Sequence, residues 1–184
     1  MRVIAGSAKG RRLRSVPGSG TRPITDRVKE SLFNIIGGDI VDATILDLFA
    51  GTGSVGIEAL SRGAKSCTFL DINRTAIGVL NANIEATGFT GQSQVKQVDS
   101  LKYLAHDPDR DFDYIYIAPP QYKEMWIEAL RILDQNDGWS GKDGWLIAQI
   151  HPIEYQEVTL DHFTEFDRRV YGSTLLAFYE HSNG

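Results

Sequence analysis

Val28, Leu32, Ile35 and Ile36 recur at i, i+4, i+7 and i+8, which lays one apolar stripe along a helix ending at Ile36. Thr25-Asp26 stands ahead of that helix as a cap, and Gly37-Gly38 stops it. Downstream the pattern shifts to short, largely apolar runs. Thr44–Phe49, Lys65–Leu70, Gln94–Val98, Asp113–Ile117 and Gly144–Ile150 read as strands. Between them Ser54–Arg62, Arg74–Thr87, a short stretch around Leu101–Ala105 and Trp126–Leu133 read as helices, several closed by glycine. Glu165–Tyr171 and Thr174–Tyr179, separated by Gly172-Ser173, predict a hairpin. Strand–helix alternation at this spacing predicts an α/β fold: a doubly wound, mostly parallel seven-stranded sheet with an antiparallel C-terminal hairpin.

Before the first helix, Val3-Ile4-Ala5-Gly6 and Lys9-Gly10-Arg11-Arg12-Leu13 suggest a small N-terminal β-hairpin extension. This divides the chain into a basic arm over 1–24 and a main domain over 25–184. Charge sharpens that division. Residues 1–29 hold eight Lys or Arg against Asp26 alone, a net +7, so the rest of a chain whose overall charge is −5 is strongly acidic. A basic arm on an acidic body is the footprint of phosphate contact with nucleic acid, and Lys9, Arg11, Arg12, Arg14, Arg22 and Arg27 are its candidates. A solubilising tail is the plainer reading of the same charges. At 42% apolar and 23% charged, 184 residues suffice for one well-buried core. Cys67 is the single cysteine, so no internal disulfide forms, and beside Thr68 and Phe69 it reads as a small buried residue. With neither a signal peptide nor a membrane-length apolar run in the sequence, a soluble cytoplasmic protein is expected.

The chemistry concentrates where the first strand meets its helix. Gly51-Thr52-Gly53-Ser54-Val55-Gly56 matches the dinucleotide pattern G-x-G-x-x-G. Asp47, four residues ahead, argues against a pyrophosphate there, because the two anions would repel. A cofactor with an ammonium and a sulfonium and no phosphate, S-adenosyl-L-methionine, suits that carboxylate. Ligands of such sheets lie beyond the carboxyl ends of the strands, and Asp47, Asp71 and Asp99 stand at three of those ends. Asp71 follows Gly51 at a spacing suited to ribose hydroxyls, and Asp99 with Ser100 suits an adenine amino group. Gly51 and Gly53 are read as admitting the ligand to the backbone. The candidate cofactor set is Asp47, Phe49, Ala50, Gly51, Thr52, Gly53, Asp71, Ile72, Asp99 and Ser100. Taken singly, each Asp is equally a turn former or a helix cap.

At the fourth strand end, Ala118, Pro119, Pro120, Gln121 and Tyr122 are the candidates for the reacting centre. Prolines lack N–H donors and leave carbonyl oxygens free to accept, and the Tyr122 ring offers a stacking surface for a flipped base. The histidines are dispersed without ligand spacing, so no metal site is expected.

Nearly the whole chain resembles the RsmD-type methyltransferases, which use S-adenosylmethionine to methylate N2 of a guanine in 16S rRNA. The resemblance rests on Arg2–Gly6, Lys9–Leu13, the specific run Thr21-Arg22-Pro23-Ile24-Thr25-Asp26-Arg27-Val28-Lys29-Glu30-Ser31-Leu32-Phe33-Asn34, the segment Leu46–Ala64, and Tyr171-Gly172-Ser173-Thr174. It implies a Rossmann-like methyltransferase domain, small-subunit rRNA or a pre-assembled 30S particle as partner, and a monomer. There are two departures from the family pattern. Ala118 stands where an Asp precedes Pro-Pro, with Gln121 inserted before Tyr122, and Gln149 stands where many relatives carry an acid. In the family the missing Asp and a proline carbonyl accept from the exocyclic amine. Three readings therefore stay open: an rRNA methyltransferase that relies on the Ala118 and Pro119 carbonyls with Gln121 as substitute acceptor, a non-catalytic binder of S-adenosylmethionine and RNA, and a methyltransferase with another target.

Overall fold

The computed structural model describes residues 1–18 and 23–183. Helix α1 (Asp26–Ile36) begins where the Thr25 hydroxyl accepts from the Val28 N–H. Then follow β1 (Thr44–Asp47), α2 (Ser54–Ser61), β2 (Ser66–Asp71), α3 (Arg74–Thr87), β3 (Ser93–Gln97), α4 (Ser100–Leu104) and β4 (Phe112–Ile117). The chain closes with α5 (Met125–Gln135), β5 (Ser140–Ile150), β6 (Phe163–Tyr171) and β7 (Thr174–His181). The strands form one seven-stranded sheet in the order β3-β2-β1-β4-β5-β7-β6. The first five run parallel, and β7 pairs antiparallel with both β5 and β6. The expected architecture stands, with β5 four residues longer at its start than the apolar run alone suggested.

The central strands β1, β2, β4 and the second half of β5 are largely apolar because the sheet is covered on both faces there, whereas the edge strands β3 and β6 are mostly polar. Ile45, Cys67, Phe69, Tyr114, Tyr116, Ile147 and Phe178 point toward α1, α2 and α3. Their neighbours Leu46, Leu48, Leu70, Ile115, Ile117, Leu146 and Ala148 pack under α4 and α5. Cys67 is buried as expected, and burial pushes its thiol well above the ordinary range. Among the described residues no helix is long and apolar enough to cross a membrane.

The N-terminal segment turns back on itself through one antiparallel bridge, Arg2 to Arg12, in place of a ladder. It is fixed to the body, since Val3, Ala8 and Leu13 are buried in the α1–α3 layer. Every residue of α2 is buried, because the sheet lies below it and this segment above. Two side chains of α2 and one close backbone approach clamp the segment. Glu58 accepts from the N–H groups of Ile4 and Ala5 at 2.9 and 3.0 Å. Ser61 donates to the Ala5 carbonyl and accepts from the Ala8 N–H. Gly6, at φ +83°, lies so close that a Cβ would stand 1.7 Å from the Ser61 carbonyl oxygen.

Candidate active site

Beyond the carboxyl ends of β1, β2, β4 and β5 opens a cavity of about 530 Å³, within the range of small-molecule sites. It gathers most of the sequence candidates. Asp47, Phe49, Ala50, Gly51, Thr52, Asp71, Ile72, Asp99 and Ser100 line it, as do Ala118, Pro119, Pro120 and Gln121. Two candidates fall outside the lining. Gly53 is the residue before α2, held at φ +80°, and a Cβ there would meet Leu80 Cδ1 at 2.3 Å. Its glycine serves helix packing, as does Gly56 against Phe69 and Cys67. Tyr122 is two-thirds exposed at φ +63°, with its N–H donated to Glu154 and its ring 6.1 Å from that of His151.

The three strand-end carboxylates differ in what already occupies them. Asp71 accepts from the Gly51 N–H at 2.9 Å through one oxygen and from the Asn73 N–H at 2.8 Å through the other, so it ties the glycine turn to β2. Asp99 caps α4, accepting from the Leu101 and Lys102 N–H groups, while its edge faces the cavity. Asp99 is thus a helix cap that also lines the cavity. Asp47 is 2% exposed, and its Oδ1 has no hydrogen-bond partner. Burial first, and the charge of Asp71 second, push its pKa up to about 7, against the pull of backbone N–H donors at Gly56 and Phe49. A buried carboxyl oxygen without a donor is costly and marks a place where a ligand cation or donor completes the structure. An S-adenosylmethionine ammonium meets that requirement, so the residues fit the group expected from the sequence.

The far wall carries no local signal in the sequence. Tyr116, Met125, Ile150, Ser173 and Thr174 line the cavity, and so does Gln149, which had stood out only as a departure from the family. Tyr116 donates a hydrogen bond to Gln149 Oε1. The two are 33 residues apart, and only the β4–β5 pairing joins them. The near wall comes from Met1, Ser15, Val16 and Pro23–Thr25, which flank the arm's return to α1. Asn83 welds the arm to the glycine turn. Its Oδ1 accepts from the Arg14 N–H, and its Nδ2 donates to the carbonyls of Arg14 and Thr52.

Lys9, Arg11, Arg12, Arg14 and Arg27 are exposed. Arg22 lies outside the described residues. Two charges counted with the arm at sequence level are committed elsewhere. Arg2 pairs with Asp26 at 3.0 Å. Lys29 is fully buried, 3.3 Å from Glu58, and donates to the Arg2 carbonyl and to Ser54. Among the described residues no group of three or more His, Cys, Asp or Glu is placed to hold a metal ion.

The model of a family described as conserved hypothetical protein 95 matches residues 1–180. The Bacillus subtilis protein YlbH, provisionally named an rRNA methyltransferase, is 40% identical over 183 residues, 98% of either chain. Ribosomal RNA small subunit methyltransferase D of Escherichia coli K12 is 37% identical over 149 residues, 81% of this chain and 74% of that protein. The solved structure of the Escherichia coli protein yhhF aligns with a TM-score of 0.87 at 30% identity, covering 98% of this chain and 97% of that one.

Proposed function

This chain belongs to the family described as conserved hypothetical protein 95, and from that premise we propose that it is an S-adenosylmethionine-dependent methyltransferase of 16S rRNA acting on a guanine N2. The observation that carries the reading is Asp47, a buried carboxylate whose Oδ1 has no hydrogen-bond partner, in the lining of a cavity shared with the glycine turn and Pro119-Pro120. When bound, S-adenosylmethionine supplies an electrophilic methyl group on a sulfonium centre. Asp47 holds its ammonium, Asp71 its ribose hydroxyls, and Asp99 with Ser100 its adenine amine. Over β4 and β5, the Ala118 and Pro119 carbonyls accept from the exocyclic amine and turn its lone pair inward. Positioning of this kind supplies much of the acceleration when a bimolecular transfer is made effectively unimolecular.

The exposed cations of the arm grip the RNA backbone beside the cavity mouth. The protein works in the cytoplasm as a monomer on rRNA or a partly assembled small subunit. Replacing Arg11, Arg12 and Arg14 together by Ala is expected to weaken RNA binding about 30-fold or more at moderate salt. It should also lower the slope of log affinity against log salt by about 2 to 3, with S-adenosylmethionine affinity unchanged. Fluorescence anisotropy across a salt series, paired with calorimetry on the cofactor, reads both. An unchanged salt slope would remove the arm from the RNA interface.

A second reading, a non-catalytic binder of cofactor and RNA, draws on one observation: Ala118 supplies no side-chain acceptor. It shares the binding results above and differs only in product.

A further inference from the structure

The cavity divides by chemistry into two halves. The carboxylates Asp47, Asp71 and Asp99 belong to β1, β2 and the segment after β3, and they face the cofactor half. Among the described residues, the half over β4, β5 and the β6–β7 turn holds no carboxylate in its lining, and its polar side chains are Tyr116, Gln121, Gln149, Ser173 and Thr174. The parallel register that pairs Tyr116 with Ile147 and Ile117 with Ala148 carries Gln149 alongside Ala118. Strand alternation sets Tyr116, Ala118 and Gln149 on one face, the face toward the arm.

Gln149 is an amide with one end already committed. Its Oε1 accepts from the Tyr116 hydroxyl, which leaves a second lone pair, while Nε2 donates to none of the described residues. Burial keeps Tyr116 a neutral phenol, able to hold that bond across the working pH range. An anchored amide with a free acceptor and a free donor side by side matches a nucleobase edge that offers a donor beside an acceptor. On guanine that edge is N2–H next to N3.

We propose that Gln149, oriented by Tyr116, is the residue that aligns the target guanine, with Oε1 accepting from N2–H and Nε2 donating to N3. This rests on the guanine-N2 reading given above and deepens it. The contact supplies a side-chain acceptor for the amine where Ala118 has none. Gln149 touches the base; Tyr116 acts through Gln149 and is a positioning residue.

The test begins with the unaltered chain, S-adenosylmethionine and small-subunit RNA, the methylated nucleotide being located by mass spectrometry. An RNA fragment is then made with guanosine or 3-deazaguanosine at that nucleotide, the analogue keeping the amine and losing N3. The unaltered chain is expected to methylate the analogue at least about 10-fold more slowly. Gln149→Ala should lower kcat on guanosine about 100-fold and lose the discrimination between the two fragments. Gln149→Glu, which keeps an acceptor and removes the donor, should retain more activity than Gln149→Ala and likewise ignore the analogue. Tyr116→Phe should lower kcat about 10-fold and leave part of the discrimination. Calorimetric affinity for S-adenosylmethionine should stay the same in all three variants, which separates these losses from damage to the fold. Product from the unaltered chain with equal discrimination in Gln149→Ala overturns the proposal alone. Absence of N2-methylguanine from the unaltered chain overturns the guanine-N2 reading and the proposal with it.

Discussion

Asp47→Asn is expected to strengthen the ligand-free fold by about 2 kcal/mol near pH 8 and, in the same protein, to weaken S-adenosylmethionine binding about 50-fold. Both effects follow from one buried oxygen. The Asp47 proton leaves the unfolded chain near the ordinary value of 3.8, whereas the folded cavity holds it until about pH 7. Between those values the folded state binds more protons, so rising pH weakens the fold until both states are ionised. Asparagine carries no charge to bury and escapes that loss. It also offers no anion to a ligand ammonium. In the unaltered protein the bound cation favours the carboxylate, so binding below about pH 7 releases a proton, and affinity rises with pH up to that point. Urea titrations and calorimetry over about pH 5.5 to 8.5 read both limbs. A destabilised Asp47→Asn protein with undiminished cofactor affinity would mean that Asp47 is a structural acid.

Glu58→Ala should cost about 3–5 kcal/mol and lower Tm by roughly 10 °C, because it leaves a buried cation without its counter-charge. Lys29 and Glu58 are both fully buried at 3.3 Å, and Arg62 approaches the other Glu58 oxygen at 2.9 Å. Burial lowers the Lys29 pKa, and Glu58 works against that fall. The same carboxylate receives the Ile4 and Ala5 N–H groups, so its loss frees the N-terminal segment from α2. Lys29→Met together with Glu58→Leu should restore much of the stability, since apolar pairs of similar volume often replace buried ion pairs without loss. The double variant should nonetheless keep a loosened arm, visible as faster amide exchange over residues 2–12 than in the unaltered protein. Chemical denaturation of the two variants and exchange mass spectrometry provide the comparison. A Glu58→Ala protein within about 1 kcal/mol of the original would show that the ion network does not fix the arm.

The sheet was legible because its signals are local. Continuous apolar runs mark strands covered on both faces, glycines stop helices, and Asp47, Asp71 and Asp99 stand at strand ends in the sequence itself. Their convergence on one cavity follows from the parallel topology that the strand–helix alternation dictates. What the sequence concealed depends on contacts made far along the chain. Gly53 looks like a ligand-binding glycine, and its lack of a side chain is set by Leu80. Lys29 reads as one more arm cation until Glu58, 29 residues on, is seen to enclose it. The Tyr116–Gln149 bond spans the gap between β4 and β5, with no sequence spacing to announce it. Tyr122 follows a Pro-Pro corner, and its left-handed backbone carries the ring out of the cavity, which residue order cannot convey.

The central claim is methyl transfer to a guanine N2 of small-subunit RNA despite Ala118. Its most direct test supplies labelled S-adenosylmethionine to undermethylated small-subunit particles and to their extracted RNA, then digests the RNA and identifies the labelled nucleoside by mass. The account predicts N2-methylguanosine from at least one of the two substrates, dependent on Asp47 and reduced by Gln149→Ala. A labelled nucleoside of another kind, or no label from a protein that binds both cofactor and RNA, would contradict it.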